Sequence, residues 1–297
     1  LSGLTLAEIV DRHVPAGVLN TVVVPAGVLD EAWMRDRRVR GVTFTGSTSV
    51  GMKIAGQAAA GMKRTVLELG GNAPFVVLPG TDPVSATEQL MVAKYRNNGQ
   101  SCIAANHVWL PRRRFDDYLD AFLAATDSLV LGDPLEPATT LGPLALPGDP
   151  ARIDELAAGA EASGARVHRF GGSTPGYGFF APPVVVVDPG FDSPAVQGES
   201  FGPALAVLAY DDLDEVLSAT RRLEHGLAGY VSGPDTHRAT EFAKRLEVGI
   251  VGVNTGTPNT PQVPFAGLKH SGVGCEGGHA GLEEFLCYQT VAVNSAV

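Results

Sequence analysis

The sequence predicts an α/β fold built on a parallel, doubly wound sheet, and three observations carry that reading. Over the first 70 residues, apolar β-type runs alternate with helical periodicity, as strand–helix–strand units do. The alternation resumes at residue 74 and continues to residue 253. The 297 residues are 44% hydrophobic and 18% charged, enough to bury two cores.

Taken in order, residues 4–13 have helical spacing and run into Pro15-Ala16-Gly17. Residues 18–24 are a continuous apolar run, expected as a strand, and 27–37 are expected as a helix. A second strand is expected over 39–45, where Thr and Phe suit a sheet. It ends in Gly46-Ser47-Thr48-Ser49-Val50-Gly51 and leads into a helix reaching residue 62. A third strand, 63–69, is broken by Gly70-Gly71, and a short buried strand follows at 74–78. Asp82-Pro83 opens the next helix, with Asp as cap and Pro in the first turn. That helix carries Tyr95 and Arg96 and delivers Cys102 on the loop beyond.

Strand 107–110 and amphipathic helix 115–129 come next. Residues 131–150, rich in Pro, Gly and Leu, read as a surface connection. Helix 151–163, strand 166–170 and loop 171–178 follow. Strands 184–187 and 205–210 flank a loop holding Glu199. Helices are expected at 212–223 and 236–246, and strands at 227–231 and 249–253. Residues 255–281 are Gly- and Pro-rich with almost no periodicity, a length that in a compact domain marks function or a partner surface. A closing strand is expected at 288–293. There is no internal repeat and no low-complexity segment.

The charge balance argues against a nucleic-acid partner: 22 basic against 32 acidic residues leave a net charge of −10. Arg112-Arg113-Arg114, the densest basic cluster, reads as a solvated turn entering a helix. The three cysteines, Cys102, Cys275 and Cys287, lack paired spacing, which points to a reducing compartment such as the cytoplasm. No C-x-x-C or His-x-His pattern suggests a metal, and no apolar run approaches a membrane span of about 20 residues. The start, Leu1-Ser2-Gly3-Leu4-Thr5-Leu6, lacks the basic n-region of a signal peptide and reads as a chain beginning inside a domain.

Three places could carry chemistry. Cys102 lies in Tyr95-Arg96-Asn97-Asn98-Gly99-Gln100-Ser101-Cys102, among small and amide residues that leave room for a substrate carbon. Alone, it reads equally as a small buried hydrophobe. Glu68 closes an apolar strand, where burial would raise its pKa towards that of a general base; alone, it also reads as an exposed or paired Glu. Gly46–Gly51 stands at a strand end and helix start, where exposed N–H groups attract an anion, though Gly and Ser also make ordinary caps.

Together these residues form a recognisable series. Phe44-Thr45-Gly46-Ser47-Thr48 with Gly51, Leu67-Glu68-Leu69-Gly70-Gly71-Asn72, Gly99-Gln100-Ser101-Cys102, Glu199-Ser200-Phe201-Gly202-Pro203 and Pro264-Phe265-Ala266-Gly267-Leu268-Lys269-His270-Ser271-Gly272 occur in order. In residues, order and spacing the chain resembles the NAD(P)-dependent aldehyde dehydrogenases over essentially its whole length. It is most similar to the succinate-semialdehyde dehydrogenases, through residues 95–102 and Val248-Gly249-Ile250-Val251-Gly252-Val253-Asn254-Thr255-Gly256.

The resemblance implies an aldehyde dehydrogenase-like fold. Residues 1–69 would be the C-terminal part of a Rossmann-type dinucleotide domain, 70–275 the α/β catalytic domain with a parallel-rich sheet, and 276–297 a tail with an oligomerisation strand. It implies oxidation of an aldehyde, succinic or a similar short semialdehyde, with NAD or NADP as cofactor. Cys102 would attack the aldehyde carbon to give a thiohemiacetal and then a thioester, with its backbone N–H as half of the oxyanion hole. Glu68 would activate the hydrolytic water. Glu199 would hold the nicotinamide ribose, with Phe201 beside it. Gly46 and Ser47 would contact the pyrophosphate, and Gly51 and Leu69 would also belong to the cofactor site. Arg96 could grip a substrate carboxylate bidentately, although alone it also reads as a surface ion-pair partner. Thr260 falls near a second carboxylate contact. A homodimer or homotetramer is implied, without nucleic acid or membrane.

The chain departs from the family in several ways. The family's sequence starts well upstream of Leu1, so a fragment, a segment on another chain and a non-catalytic remnant are all open readings. A dehydrogenase of neutral aldehydes is a further alternative. Ala104 stands where these enzymes often have a second Cys, Ala266 where a Gly is usual and Cys275 where an Arg is usual. Nothing here separates NAD from NADP.

Overall fold

The computed structural model describes residues 1–25, 30–171 and 174–294. In chain order the first elements are α1 (Ser2–Asp11), α2 (Asp30–Arg35), β1 (Gly41–Thr45), α3 (Thr48–Ala60), β2 (Arg64–Glu68) and β3 (Ala73–Val77). Next come α4 (Pro83–Tyr95), β4 (Ala105–Pro111), α5 (Phe115–Asp127), α6 (Asp149–Ala162), β5 (Arg166–Arg169), β6 (Val184–Val187), α7 (Pro194–Gln197) and β7 (Ala204–Tyr210). The last are α8 (Leu213–Arg222), β8 (His225–Gly226), β9 (Ala228–Ser232), α9 (Thr236–Ala243), β10 (Ile250–Val253), β11 (Leu268–Lys269), β12 (Gly272–Val273) and α10 (Gly278–Glu283).

The larger sheet has seven strands in the order β10-β9-β3-β4-β7-β6-β5. Every neighbouring pair is parallel except β5 with β6. Its inner strands are buried and largely apolar because both faces are covered, whereas the edge strand β5 (Arg166–Arg169) is polar and partly exposed. Successive side chains take opposite faces. Phe75 and Val77 meet Leu90 of α4 and Phe122 of α5. Val76 between them joins Ile153 of α6, Leu217 of α8 and Phe242 of α9. The chain is therefore α/β with a mostly parallel sheet, as the alternation predicts.

The smaller sheet has the order β1-β2-β12. β1 and β2 run parallel, from Gly41 beside Arg64 to Thr45 beside Glu68. β12 returns antiparallel, with Gly272 beside Glu68. Its core is small: Ile54 of α3 with Leu67 and Leu69, flanked by Met34, Val42 and Phe44. A separate two-stranded ribbon pairs β8 with β11.

Three expectations are corrected. Residues 18–24 form no strand; Val22 and Val23 are exposed, and no described strand lies beside them to complete a ladder. The helix expected at 27–37 is the shorter α2, with 27–29 outside the described residues. Residues 288–293 likewise form no strand, and Tyr288 is 92% exposed. A strand is half of an interaction, so apolar β-type residues without an edge to pair with stay open. In the loop expected at 171–178, residues 172–173 lie outside the described residues. The stretch 255–281 contains β11, β12 and the start of α10. The Arg112–Arg114 cluster is a short turn before α5, with surface ion pairs from Arg112 to Asp211 and from Arg114 to Asp117.

No helix among the described residues is long and apolar enough to cross a membrane. No group of three or more His, Cys, Asp or Glu among them could hold a metal ion.

Candidate active site

β3, β4 and β7 are adjacent in the large sheet, and the loops leading into them meet at one end. These are the Gly70–Asn72 turn, the 96–104 loop and the 198–203 loop. Their meeting opens a cleft of about 720 Å³. It is lined by Gly46, Ser47, Glu68, Leu69, Cys102, Glu199 and Phe201 from among the sequence-predicted site residues.

The loop that presents Cys102 is unusually shaped. Asn97, Asn98 and Gly99 take successive φ values of 53°, 57° and 74°. Asn tolerates this left-handed region better than most residues. Asn98 is held there by its own amide, which donates to the Gly142 and Pro143 carbonyls and accepts from the Gly142 N–H, each at 3.1 Å. Gly99 must be glycine for a second reason: a Cβ would strike the Gly202 carbonyl. Gly71 plays the same part opposite, where a Cβ would strike the carbonyl of Cys102 itself. The two glycines let three loops close around the thiol.

Cys102 is half-buried. Burial pushes its thiol up to about 11, and Glu199 and Glu68 add to the rise. The N–H groups of Cys102 and Ile103 act in the opposite direction, favouring the thiolate. Glu68, at the end of β2, is 2% exposed, and neither carboxylate oxygen accepts a well-formed hydrogen bond from the described residues. Burial pushes its carboxyl up to about 8, with a contribution from Glu276, while the Gly267 amide pulls weakly the other way. A carboxyl poised near neutrality beside a thiol is the arrangement a general base needs.

Glu199 lies across the cleft, where one oxygen accepts the Gly71 N–H at 3.0 Å. Burial raises its carboxyl, opposed by Gly71, Lys94 and Arg152. Beside it Phe201 has a φ of 40°, a conformation an aromatic residue rarely takes, and projects at the rim.

Ser47 stands at the N-cap position of the 13-residue helix α3 without a side-chain cap bond, and with Thr45 and Gly46 it forms the facing wall. The free N–H groups of a helix start favour an anion there. Thr48 steadies this turn by accepting the Gly70 N–H at 3.2 Å. Gly51 lies one turn deeper, buried against Leu69, which leaves no room for a side chain. Arg96, at the end of α4, is exposed; its charge acts on the Tyr230 phenol, whose hydroxyl donates to the Ile103 carbonyl at 2.6 Å. Thr260 is exposed on the long C-terminal stretch, and its carbonyl accepts the Val263 N–H. Neither Gly51, Arg96 nor Thr260 lines the cleft.

Sequence reasoning missed four charged residues here. Asp149 and Arg152 of α6 line the cleft, and Arg152 donates to the Ser200 and Phe201 carbonyls. Nothing local in the sequence marks them. Glu276 acts on Glu68 from the Gly-rich stretch. Lys94 is fully buried in α4; a Lys one turn after Leu90, on the helix's apolar stripe, was the available signal.

The sequence pattern of the aldehyde dehydrogenase family matches residues 1–291. The chain belongs to that family. It is 37% identical over 286 residues to glutarate-semialdehyde dehydrogenase of Pseudomonas aeruginosa, covering 96% of this chain and 59% of the relative. It is equally identical, with the same coverage, to succinate-semialdehyde dehydrogenase [NADP(+)] of Escherichia coli. Among solved structures, a lactaldehyde dehydrogenase superposes with a TM-score of 0.93 at 30% identity, covering 99% of this chain and 62% of that one. Succinate-semialdehyde dehydrogenase from Burkholderia pseudomallei gives 0.90 at 35% identity, covering 96% and 59%. The chain thus spans about three fifths of the length of the aldehyde dehydrogenases it matches.

Proposed function

We propose that this chain carries the thiol, base and ribose-side carboxylate of an NAD(P)-dependent oxidation of a short semialdehyde. The observation that carries the reading is the meeting of Cys102, Glu68 and Glu199 in one cleft faced by a helix start. The cleft's residues fit a nicotinamide dinucleotide: Gly46 and Ser47 at the opening of α3 suit its pyrophosphate, and Glu199 suits a pair of ribose hydroxyls. A bound dinucleotide supplies the hydride acceptor.

The chain's own part runs as follows. The Cys102 thiol gives up its proton to solvent, and its sulfur adds to the aldehyde carbon, forming a C–S bond and turning the carbonyl oxygen into an alkoxide. The N–H groups that favour the Cys102 thiolate are the donors proposed to stabilise that oxyanion. Loss of hydride leaves a thioester on Cys102. Glu68 takes a proton from water, the water oxygen adds to the acyl carbon, and the C–S bond breaks to release a carboxylate and restore the thiol. Because the Glu68 carboxyl sits near 8, it is a base only as pH rises towards that value. Semialdehydes as substrates are supported by the names of the similar dehydrogenases. Arg96, exposed at the end of α4, is the cation proposed for the distal carboxylate.

The test is NAD(P)H formation from succinic and glutaric semialdehyde by the protein carrying this chain. Cys102→Ala is expected to lower it by more than about 10³-fold. Activity retained in Cys102→Ala overturns the assignment.

A further inference from the structure

Beneath the cleft lies a polar cluster to which the mechanism above gives no role. Lys94, in the last turn of α4, has no exposed surface. Its ammonium donates to Ser200 Oγ at 3.0 Å and to Asn106 Oδ1 at 3.4 Å. Ser200 Oγ donates in turn to Asn106 Oδ1 at 2.8 Å. The Asn106 amide donates to the Gly71 carbonyl at 3.3 Å, and the Gly71 N–H donates to Glu199 at 3.0 Å. Ser200 follows Glu199 in the chain, so the circuit closes on itself. It joins α4, the start of β4, the Gly70–Asn72 turn and the 198–203 loop.

We propose that Lys94 is a positioning residue, whose sealed ammonium keeps the Glu199 carboxylate fixed and charged for the dinucleotide's ribose. The inference rests on the reading of Glu199 given under Proposed function. Three observations support it. Lys94 does not line the cleft, so it acts through others. Burying an ammonium costs several kcal/mol unless it is paired, so a Lys is an expensive way to fill this space. Burial raises the Glu199 carboxyl, and Lys94, with Gly71 and Arg152, opposes that rise. Burial also lowers Lys94 to about 7, against the attraction of Glu199 and with the help of Arg152. Arg152 from α6 also acts on Glu199, which in turn acts on the Cys102 thiol, and Asp149 and Glu68 are the other charged groups lining the same cleft.

A structural filler and a positioning cation differ in what they do to the thiol. Glu199 is one of two carboxylates that hold the Cys102 thiol up. Without the Lys94 charge, Glu199 takes up a proton more readily, its repulsion falls and the thiol becomes more acidic.

The experiment compares Lys94→Met and Ser200→Ala with the parent protein in two assays. Titration calorimetry with NAD+ and NADP+ reads dinucleotide affinity, and iodoacetamide alkylation near neutral pH reads Cys102. Lys94→Met is expected to weaken dinucleotide binding about tenfold, the loss of one charge-assisted contact. The dinucleotide KM rises while the aldehyde KM holds. Cys102 alkylation is expected to rise about threefold as the repulsion from Glu199 falls. Ser200→Ala moves both readouts in the same directions by less. Unchanged affinity and unchanged alkylation in a folded Lys94→Met protein overturn the proposal. If Lys94→Met does not fold, Ser200→Ala decides, and no change in either assay overturns it. If the parent binds neither dinucleotide, the cofactor reading fails, and alkylation alone then decides whether Lys94 governs Glu199.

Discussion

The Cys102 thiol and the buried Glu68 carboxyl stand on two different foundations. Cys102 leads into β4 of the seven-stranded sheet, where all seven residues of the strand are buried. Glu68 and the Gly46-Ser47 turn belong to the three-stranded sheet, where β1 alternates exposed and half-buried residues. Helix α1 ahead of it buries none of its ten residues. One wall of the cleft is thus a doubly covered core, and the other a thin sheet whose packed cluster holds Ile54, Leu67 and Leu69. Under the proposed function, the contrast suits a site that holds a nucleophile rigidly while a dinucleotide enters and leaves. Local stability follows buried apolar area, so the wall carrying the Gly46-Ser47 turn is the one expected to open first.

The largest effect expected from breaking this arrangement lies where the two walls meet. Glu68→Gln is expected to cut steady turnover by about 10²- to 10⁴-fold while leaving the acylation burst, as stopped-flow absorbance would show. Unchanged turnover would remove Glu68 as the base. The same variant reports on burial. The Glu68 carboxyl sits at about 8, above its ordinary 4.5, so the fold favours its neutral form. That stabilisation is complete below the ordinary value and is lost as pH rises through about 8. The melting temperature of Glu68→Gln should therefore gain on the parent's as pH rises from about 5 to 9.

Next in size is the difference between the two cores. Phe75→Ala, in the large sheet, is expected to cost about 3–5 kcal/mol by urea denaturation. Val42→Ala, half-buried on β1, is expected to cost about 1 kcal/mol or less. Amide exchange should release residues 41–45 before 105–111; equal losses and equal protection would dissolve the contrast. The smallest expected effect is Arg96→Ala, about a tenfold rise in KM for a carboxylated aldehyde and little change for a neutral one of similar length. Equal changes would set the semialdehyde reading aside in favour of a neutral aldehyde.

Much of the site was legible because its residues sit in local patterns. Cys102 follows an amide- and glycine-rich turn, Glu68 closes a strand, and Ser47 opens a helix, so each shows in a window of a few residues. Gly71 and Gly99 were visible as turn residues, but why they are glycine was not. Their reasons are carbonyls of Cys102 and Gly202, far along the chain in each case.

By itself the sequence determined the alternation of strands and helices, and with it the parallel sheet, because backbone periodicity is local. It also determined the chemistry on offer, because a thiol and a carboxylate keep their identity wherever they are placed. Tertiary structure alone decided which charges share one cavity. Lys94 reaches Ser200, Arg152 reaches the carbonyl of Phe201, and Glu276 acts on Glu68 across separations no window spans. It also decided that the apolar runs at 18–24 and 288–293 form no strand here. A strand's hydrogen bonds belong half to its neighbour, and neither run has one beside it among the described residues.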